Sequence, residues 1–334
     1  MKSICAIIAE AGVNHNGSIE LAFRLVDEAA RTGADYVKFQ TFRTEKLVAR
    51  HAPKANYQQR TCGSSESQFD MLKRLELPES AFRDIAAYCT EQGIAFLSTP
   101  FDAESAAFLA GIGMSALKVS SGDLTDIPLL RQLGAMGLPI LLSTGMGTLG
   151  EVETALETLE AAGTPLERIT LLHCTTEYPA PFEEVNLRAM LTLGTAFPRV
   201  SIGYSDHTDG IEIPIAAAAL GARVIEKHLT LDRAMPGPDH RASLAPLEFA
   251  QMVGAVRRVT SALGDGRKRP SASELPNRLV ARKSIVASRP IAQGEPLSPE
   301  NLTVRRPGSG ISPARWDSVV GTLAMRAYAA DEPI

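Results

Sequence analysis

An α/β fold, a parallel (β/α)8 barrel of the TIM type followed by a small loop-rich domain, is what this sequence predicts, on three observations. Short apolar, β-branched runs alternate eight times with amphipathic helical runs over about 260 residues, the count and size of such a barrel. Polar residues mark nearly every strand end, whereas an open doubly wound sheet concentrates them at one switch point. After Gly264 the texture changes, first to a polar stretch rich in Gly, Pro and Ser, then to short apolar runs separated by turns.

The strand candidates are Ile4–Ala9, Tyr36–Thr41, Ala95–Thr99, Ala116–Ser121, Ile140–Thr144, Ile169–Cys174, Val200–Tyr204 and Val224–Leu229. Each is short and apolar on both faces, as a strand buried in a parallel sheet must be. Between them lie helical runs such as IELAFRLVDEAARTG and EVETALETLEAAG, each closed by a glycine, with Ser18 and Thr148 as N-caps. The run IEIPIAAAAL, opened by Gly210 and closed by Gly221, joins the last two strands as a right-handed crossover. One βα connection is long, from Phe42 to Leu77, the length of a lid or binding segment. The domains that follow are residues 1–264 as the barrel, 265–280 as a linker (GDGRKRPSASELPNR) and 281–334 as the small domain. At about 50 residues the last is near the lower limit for independent stability, so it should lean on the barrel or on a partner.

Composition narrows the function classes. The 334 residues are 45% hydrophobic and 22% charged, an ordinary globular balance. A formal net charge of −4 with no Lys/Arg run offers no nucleic-acid footprint. Cys5, Cys62, Cys89 and Cys174 form no CxxC or disulfide framework, fit a reducing compartment and read as core or incidental residues. SICAIIAEAG is too short for a membrane span and carries Glu10, so it reads as a buried strand, and a cytoplasmic location is expected.

The strand ends carry the chemistry. They bring Glu10, Lys38, Gln40, Thr99, Lys118, Ser120, Ser121, Ser143, Thr144, His173, Thr175, Ser205, His207, Glu226 and His228 to one rim. Lysines are costly to bury without an anion, so Lys38 and Lys118 imply an anionic ligand between them, unless they only pair with Glu10, Asp123 or Glu226. Ser121, Ser143, Ser205 and Thr176 add neutral donors of the kind that ring a phosphate or carboxylate. His207 and His228 sit at equivalent ends of neighbouring strands, and the PGPDH turn brings Asp239 over the same edge. Two imidazoles and a carboxylate there suit a divalent metal or acid–base chemistry. The plainer alternative makes His207 a turn cap and His228 a half-buried, satisfied histidine. No P-loop and no GxGxxG precedes a helix, so a nucleotide is not indicated.

Taken together, IAEAGVNHNG, VKFQTF, FLSTPFD, KVSSGD, LLSTGM, LHCTTEYPAPFEEVNL, GYSDHT, EKHLTLD, PGPDH and RRPGSGIS resemble the sialic acid synthase family over essentially the whole chain. The resemblance implies condensation of phosphoenolpyruvate with N-acetylmannosamine or a related 2-acetamido sugar, with 2,4-diacetamido-2,4,6-trideoxymannose as the alternative substrate. It implies that the small domain is an antifreeze-like (SAF, β-clip) domain, and that two copies pair so that each small domain caps the other's barrel. It further implies a divalent metal on His207 and His228, manganese first, with cobalt, zinc and magnesium as alternatives.

By motif, Glu10 is the acidic residue beside phosphoenolpyruvate; Lys38 and Lys118, with Ser121, Ser143 and Ser205, contact its phosphate and carboxylate. Thr99 and Thr176 join the substrate contacts, and Gln40, Tyr178 and Asp239 contact the sugar. Arg306 reaches the N-acetyl group from the partner. Asp123 is a second candidate carboxylate, standing where many members have glutamate. Thr176 stands where some have asparagine, and RRPGSG replaces the commoner RPGNG. A condensing enzyme for a phosphorylated aldose would need paired arginines at the rim, and the rim motifs carry lysines only. A non-catalytic sugar-binding barrel would lack the histidine pair and the lysines.

Overall fold

The computed structural model of the chain describes residues 5–63 and 65–334. The described chain divides into one unit ending at Gly264 and a second running from Asp265 to Ile334. In the first, eight parallel strands alternate with helices: β1 (Ala6–Gly12), β2 (Tyr36–Thr41), β3 (Ala95–Pro100), β4 (Leu117–Val119), β5 (Ile140–Ser143), β6 (Ile169–His173), β7 (Ser201–Asp206) and β8 (Val224–His228). Their hydrogen-bonded order is β3-β2-β1-β8-β7-β6-β5-β4, and β3 and β4 lie against each other to close the barrel. No ladder joins that last pair among the described residues; the Ser98 N–H donates instead to the Met114 sulfur at 3.2 Å.

Local chemistry sets the helix boundaries. The Ser18 hydroxyl accepts the Leu21 N–H and starts the helix Ile19–Arg31; Thr148 and Glu151 form a reciprocal box that starts Leu149–Ala162. Each such cap is worth about 1 kcal/mol. The helices bury one face against the strands, leaving two apolar clusters between sheet and helices, one around Phe39, Phe82 and Phe249 and one around Leu97, Leu130 and Leu171. All five residues of β8 are buried, which is why its sequence shows no alternation.

Three strands differ from expectation by more than one residue at an end. The expected start of β1 at Ile4 lies outside the described residues, and the strand runs on to Gly12. β4 stops at Val119, because Ser120 and Asp123 bond to each other and turn Ser121–Asp123 into a 3-10 helix. β7 extends to Asp206, whose carboxylate pairs with the wholly buried Lys227 on β8. The long β2 connection is not a bare loop but carries helices Thr44–Leu47, Asn56–Cys62 and Gln68–Leu75 with a small apolar core of Val13, Phe42, Met71 and Leu75.

The second unit has its own core around Ile285, Ile291, Leu302 and Tyr328, with β9 (Ser284–Ala287) antiparallel to β10 (Leu302–Arg305) and bridges such as Ile291↔Tyr328. The stretch expected as a linker holds nearly all of the helix Glu274–Ala281, and the Glu274 carboxylate accepts the Ser271 N–H at 2.7 Å in the turn that precedes it. No described helix is long and apolar enough to cross a membrane.

Candidate active site

The parallel register sets the charges of the site side by side. Glu10 is paired in register with Lys38 on one side and with His228 on the other, and Ser205 with Glu226. All point into one cavity of about 420 Å³ at the C-terminal mouth of the barrel. Lys38 Nζ lies 3.0 Å from Glu10 Oε2 and 3.5 Å from Glu226 Oε1, and donates to Thr99 Oγ1 at 3.0 Å. Lys118 Nζ donates to Ser143 Oγ at 2.7 Å and stands 3.8 Å from Glu226. The lysines therefore do pair with the carboxylates, yet both still line the cavity.

Burial acts differently on these groups. It raises the Glu10 pKa to about 7 against the pull of Lys38, with the Glu226 charge adding to the rise. Burial would also raise Glu226, but Lys118 and Lys38 outweigh it and hold that carboxylate below its usual range. Lys118 is depressed by burial; Lys38, for which Glu10 and Glu226 outweigh burial, is raised. The outcome is a pair of cations balanced by one firm carboxylate and one that readily holds a proton. Such a cavity attracts a small polyanion.

Gly12 makes room for Glu10. It lies at the β1 bulge with φ +52°, and a Cβ there would sit 3.2 Å from Glu10 Oε1 and 3.3 Å from Gln40 Nε2. The Gln40 amide donates to Glu10 Oε1 at 3.2 Å.

His207 and His228 face each other across the β7–β8 edge with ring centroids 5.5 Å apart. His207 Nδ1 donates to the Thr175 carbonyl at 2.6 Å, which turns its other nitrogen away from that bond. His228 Nδ1 is buried without a partner among the described residues. Burial lowers both imidazole pKa values, and neutral imidazole is the ligating form. Two neutral imidazoles with an orphaned nitrogen fit a divalent ion, and the reading of His228 as a half-buried, satisfied histidine does not account for that orphan. No group of three or more His, Cys, Asp or Glu is arranged for a metal among the described residues, so further ligands would be substrate oxygens and water.

At the β4–β6 side, three side chains converge on the bare face of Gly145. A Cβ there would lie 2.2 Å from Thr176 Oγ1, 2.8 Å from Ser121 Oγ and 3.0 Å from Cys174 Sγ. The Gly145 N–H donates to Ser121 Oγ at 3.0 Å, and Thr176 Oγ1 is buried without a partner, free to meet a ligand oxygen. Opposite, Tyr57, Tyr178 and His207 stack in a row with centroids 4.7 and 4.1 Å apart. Asp239 is buried beside them, and burial raises its pKa to about 6.

The cavity thus gathers Glu10, Lys38, Gln40, Thr99, Lys118, Ser121, Ser143, Thr176, Tyr178, Ser205, His207, His228 and Asp239. Asp123 does not line it. Its carboxylate accepts the Ser120 hydroxyl at 2.6 Å inside the 3-10 turn, so a part in the chemistry would be indirect. Arg306 lies in the second unit, exposed and without a partner among the described residues, while its neighbour Arg305 pairs with Asp331. His173, expected at the rim, donates from Nε2 to the Val185 carbonyl, 2.8 Å away.

Sequence reasoning underweighted two residues. Glu226 appeared only as a rim residue and a lysine partner, yet it bridges both lysines. Cys174, read as core or incidental, is a cavity wall with Sγ 3.1 Å from Ser121 Oγ. Tyr57 and Gln58 had no signal beyond their place in the long connection.

Comparison with known proteins bears on the whole chain. Residues 25–268 match the NeuB family and residues 282–334 the SAF domain. The chain is 49% identical to the N,N'-diacetyllegionaminic acid synthase of Campylobacter jejuni, over 98% of each chain. It is 45% identical to the Legionella pneumophila enzyme of the same name, over 95% of this chain and 90% of that one. Among solved structures, the N-acetylneuraminic acid synthetase of Leptospira borgpetersenii, in complex with citrate, superposes with a TM-score of 0.72. That pair shares 35% identity, over 82% of this chain and 90% of that one.

Proposed function

The chain belongs to the NeuB family and ends in a SAF domain, and from that footing we propose that it condenses phosphoenolpyruvate with an open-chain 2-acetamido sugar, giving a nonulosonic acid and phosphate. The observation that carries the reading is the pair of buried lysines, Lys38 and Lys118, held over Glu226 beside two neutral imidazoles. Of the two candidate sugars, 2,4-diacetamido-2,4,6-trideoxymannose is the better supported, because 49% and 45% identity to the two legionaminate synthases exceed 35% to the neuraminate synthetase.

The residues divide the work. Lys38 and Lys118 stabilise the polyanion in a site with little water, with Ser121, Ser143, Ser205 and Thr176 donating to its oxygens. Gln40, Tyr178 and Asp239 orient the sugar. His207 and His228 would hold a divalent ion, manganese first among the candidates, whose contribution is Lewis-acid polarisation of the sugar aldehyde. C3 of phosphoenolpyruvate bonds to the aldehyde carbon, and its oxygen takes a proton. Positive charge develops at C2, which adds water, and the tetrahedral product loses phosphate by C–O cleavage. Glu10, with its pKa near neutrality, orients that water and takes its proton.

Phosphate release tests the reading. Phosphoenolpyruvate should yield phosphate only when a 2-acetamido mannose is added, with the higher kcat/KM on the diacetamido trideoxy sugar. Release independent of any sugar would overturn it.

The small domain has a role in the same proposal, as the cap of a cytoplasmic homodimer. Among the described residues Arg306 is exposed and has no partner, which leaves its guanidinium available to a second subunit, whereas Arg305 is held by Asp331. A guanidinium reaching the partner's site would donate to the N-acetyl carbonyl. Arg306→Ala should therefore raise KM for the sugar far more than for phosphoenolpyruvate. Mixed with Lys38→Ala subunits, it should regain activity through heterodimers with one intact barrel under one intact cap. If subunits exchange and nothing returns, Arg306 serves its own barrel or none.

A further inference from the structure

The cavity has two unlike walls. Apart from Asp239, the charged groups are held at the strand ends, whereas the side above β1–β3 carries an apolar patch: Val13 after β1, Leu47 and Val48 after β2, Met71 and Leu72 in the insertion, and Phe101 after β3, next to the insertion's polar Tyr57, Gln58 and Gln68. Val13 and Met71 belong to the insertion's own core, and Leu47, Leu72 and Phe101 pack on it while remaining only half-buried. Folding of the insertion accounts for the first two. It leaves the cavity-facing sides of the others unexplained.

Placement of the substrates says what meets this wall. Lys118, Ser121 and Ser143 at the ends of β4 and β5, with Lys38 from β2 and Ser205 from β7, claim phosphoenolpyruvate, the histidine pair on β7–β8 claims the sugar aldehyde, and Gln40 draws the sugar toward β2. The far end of the sugar, C4 to C6, is the part left to reach the β1–β3 side. The polar ends of Tyr57, Gln58 and Gln68 bond to one another, and the patch of Leu47, Val48, Leu72 and Phe101 beside them offers no charge and no hydroxyl, so it favours methyl groups over a hydroxymethyl, whose oxygen would be desolvated without a partner.

We propose that Val48 and Leu72, with Leu47 and Phe101, are specificity-determining residues that select a 6-deoxy sugar by packing against its C6 methyl. This rests on the substrate reading above and assigns it to a surface. The insertion between β2 and β3, not the catalytic strand ends, would then set which nonulosonic acid is made.

The test uses the full-length protein. Val48→Thr keeps the side-chain shape and adds a hydroxyl, and Leu72→Asn does nearly the same. The measured quantity is the ratio of kcat/KM for 2,4-diacetamido-2,4,6-trideoxymannose to that for N-acetylmannosamine. Since one methyl in an apolar pocket is worth about 10–200-fold, each variant should lower that ratio about tenfold or more, through the sugar's KM. KM for phosphoenolpyruvate should stay as in wild type, and Leu72→Met, which remains apolar, should preserve the ratio. Variants that keep wild-type melting and phosphoenolpyruvate KM but also the wild-type ratio would overturn the wall while leaving the substrate reading intact. Wild-type protein that prefers N-acetylmannosamine would instead overturn the substrate reading itself, and the wall's role with it.

Discussion

Lys38→Met and Lys118→Met should both abolish condensation, yet only the first should make the protein markedly easier to unfold. In the proposed reaction each lysine would clamp developing or permanent negative charge, a role typically worth about a hundredfold to a thousandfold in rate, so both variants should lose most of kcat/KM. Their structural debts differ. Lys38 sits 3.0 Å from Glu10 and 3.5 Å from Glu226, and its removal leaves two buried carboxylates facing each other. Breaking a buried pair from one side costs about 3–5 kcal/mol. Lys118 faces one carboxylate, Glu226, at 3.8 Å, and its removal leaves that carboxylate with Lys38 at 3.5 Å and with the Ser205 hydroxyl; burial also depresses the Lys118 pKa, so the loss should be smaller. Urea midpoints measured beside kcat/KM would separate the two. Equal destabilisation would mean that the lysines share Glu226 evenly.

The histidine pair carries the second large effect. His207→Ala and His228→Ala should each reduce synthesis by about a thousandfold, the rate equivalent of about 4 kcal/mol of lost electrophilic assistance. The fold should survive, since neither ring fills the apolar clusters between sheet and helices. EDTA should abolish wild-type activity and manganese should restore it. Independently of turnover, manganese should raise the melting temperature of the wild type and not of either variant, as ligand linkage requires. Full activity after exhaustive chelation would return both histidines to a purely structural role.

These expectations draw on residues the sequence exposes unevenly. The rim was legible because a parallel barrel converts a one-dimensional pattern, the polar residue closing each apolar run, into a ring. Glu10, Lys38, Ser143, Ser205 and His228 could be read that way without knowing any distance. Asp123 shows the limit: a carboxylate three residues past a serine bonds to it locally, and only the turn geometry reveals that it faces away from the cavity. Cys174 shows the converse, a residue whose chemistry suggests core and whose neighbours, Ser121 and Gly145, make it a wall. The insertion was hardest to read. Its helices are four to eight residues long, too short for periodicity to show, and they are held by packing on Val13 and Phe42.

The missing ladder between β3 and β4 has a consequence for how the barrel breathes. A hydrogen-bonded circuit that is complete would resist opening equally all round, but here it is interrupted at one seam, where a thioether takes the Ser98 amide proton. Lys38 and Lys118 belong to β2 and β4, and β3 with its seam lies between those two strands. A polyanion gripped by both ammonium groups is therefore a staple across the weakest join of the barrel. On the proposed function, the substrate would then complete the wall that encloses it.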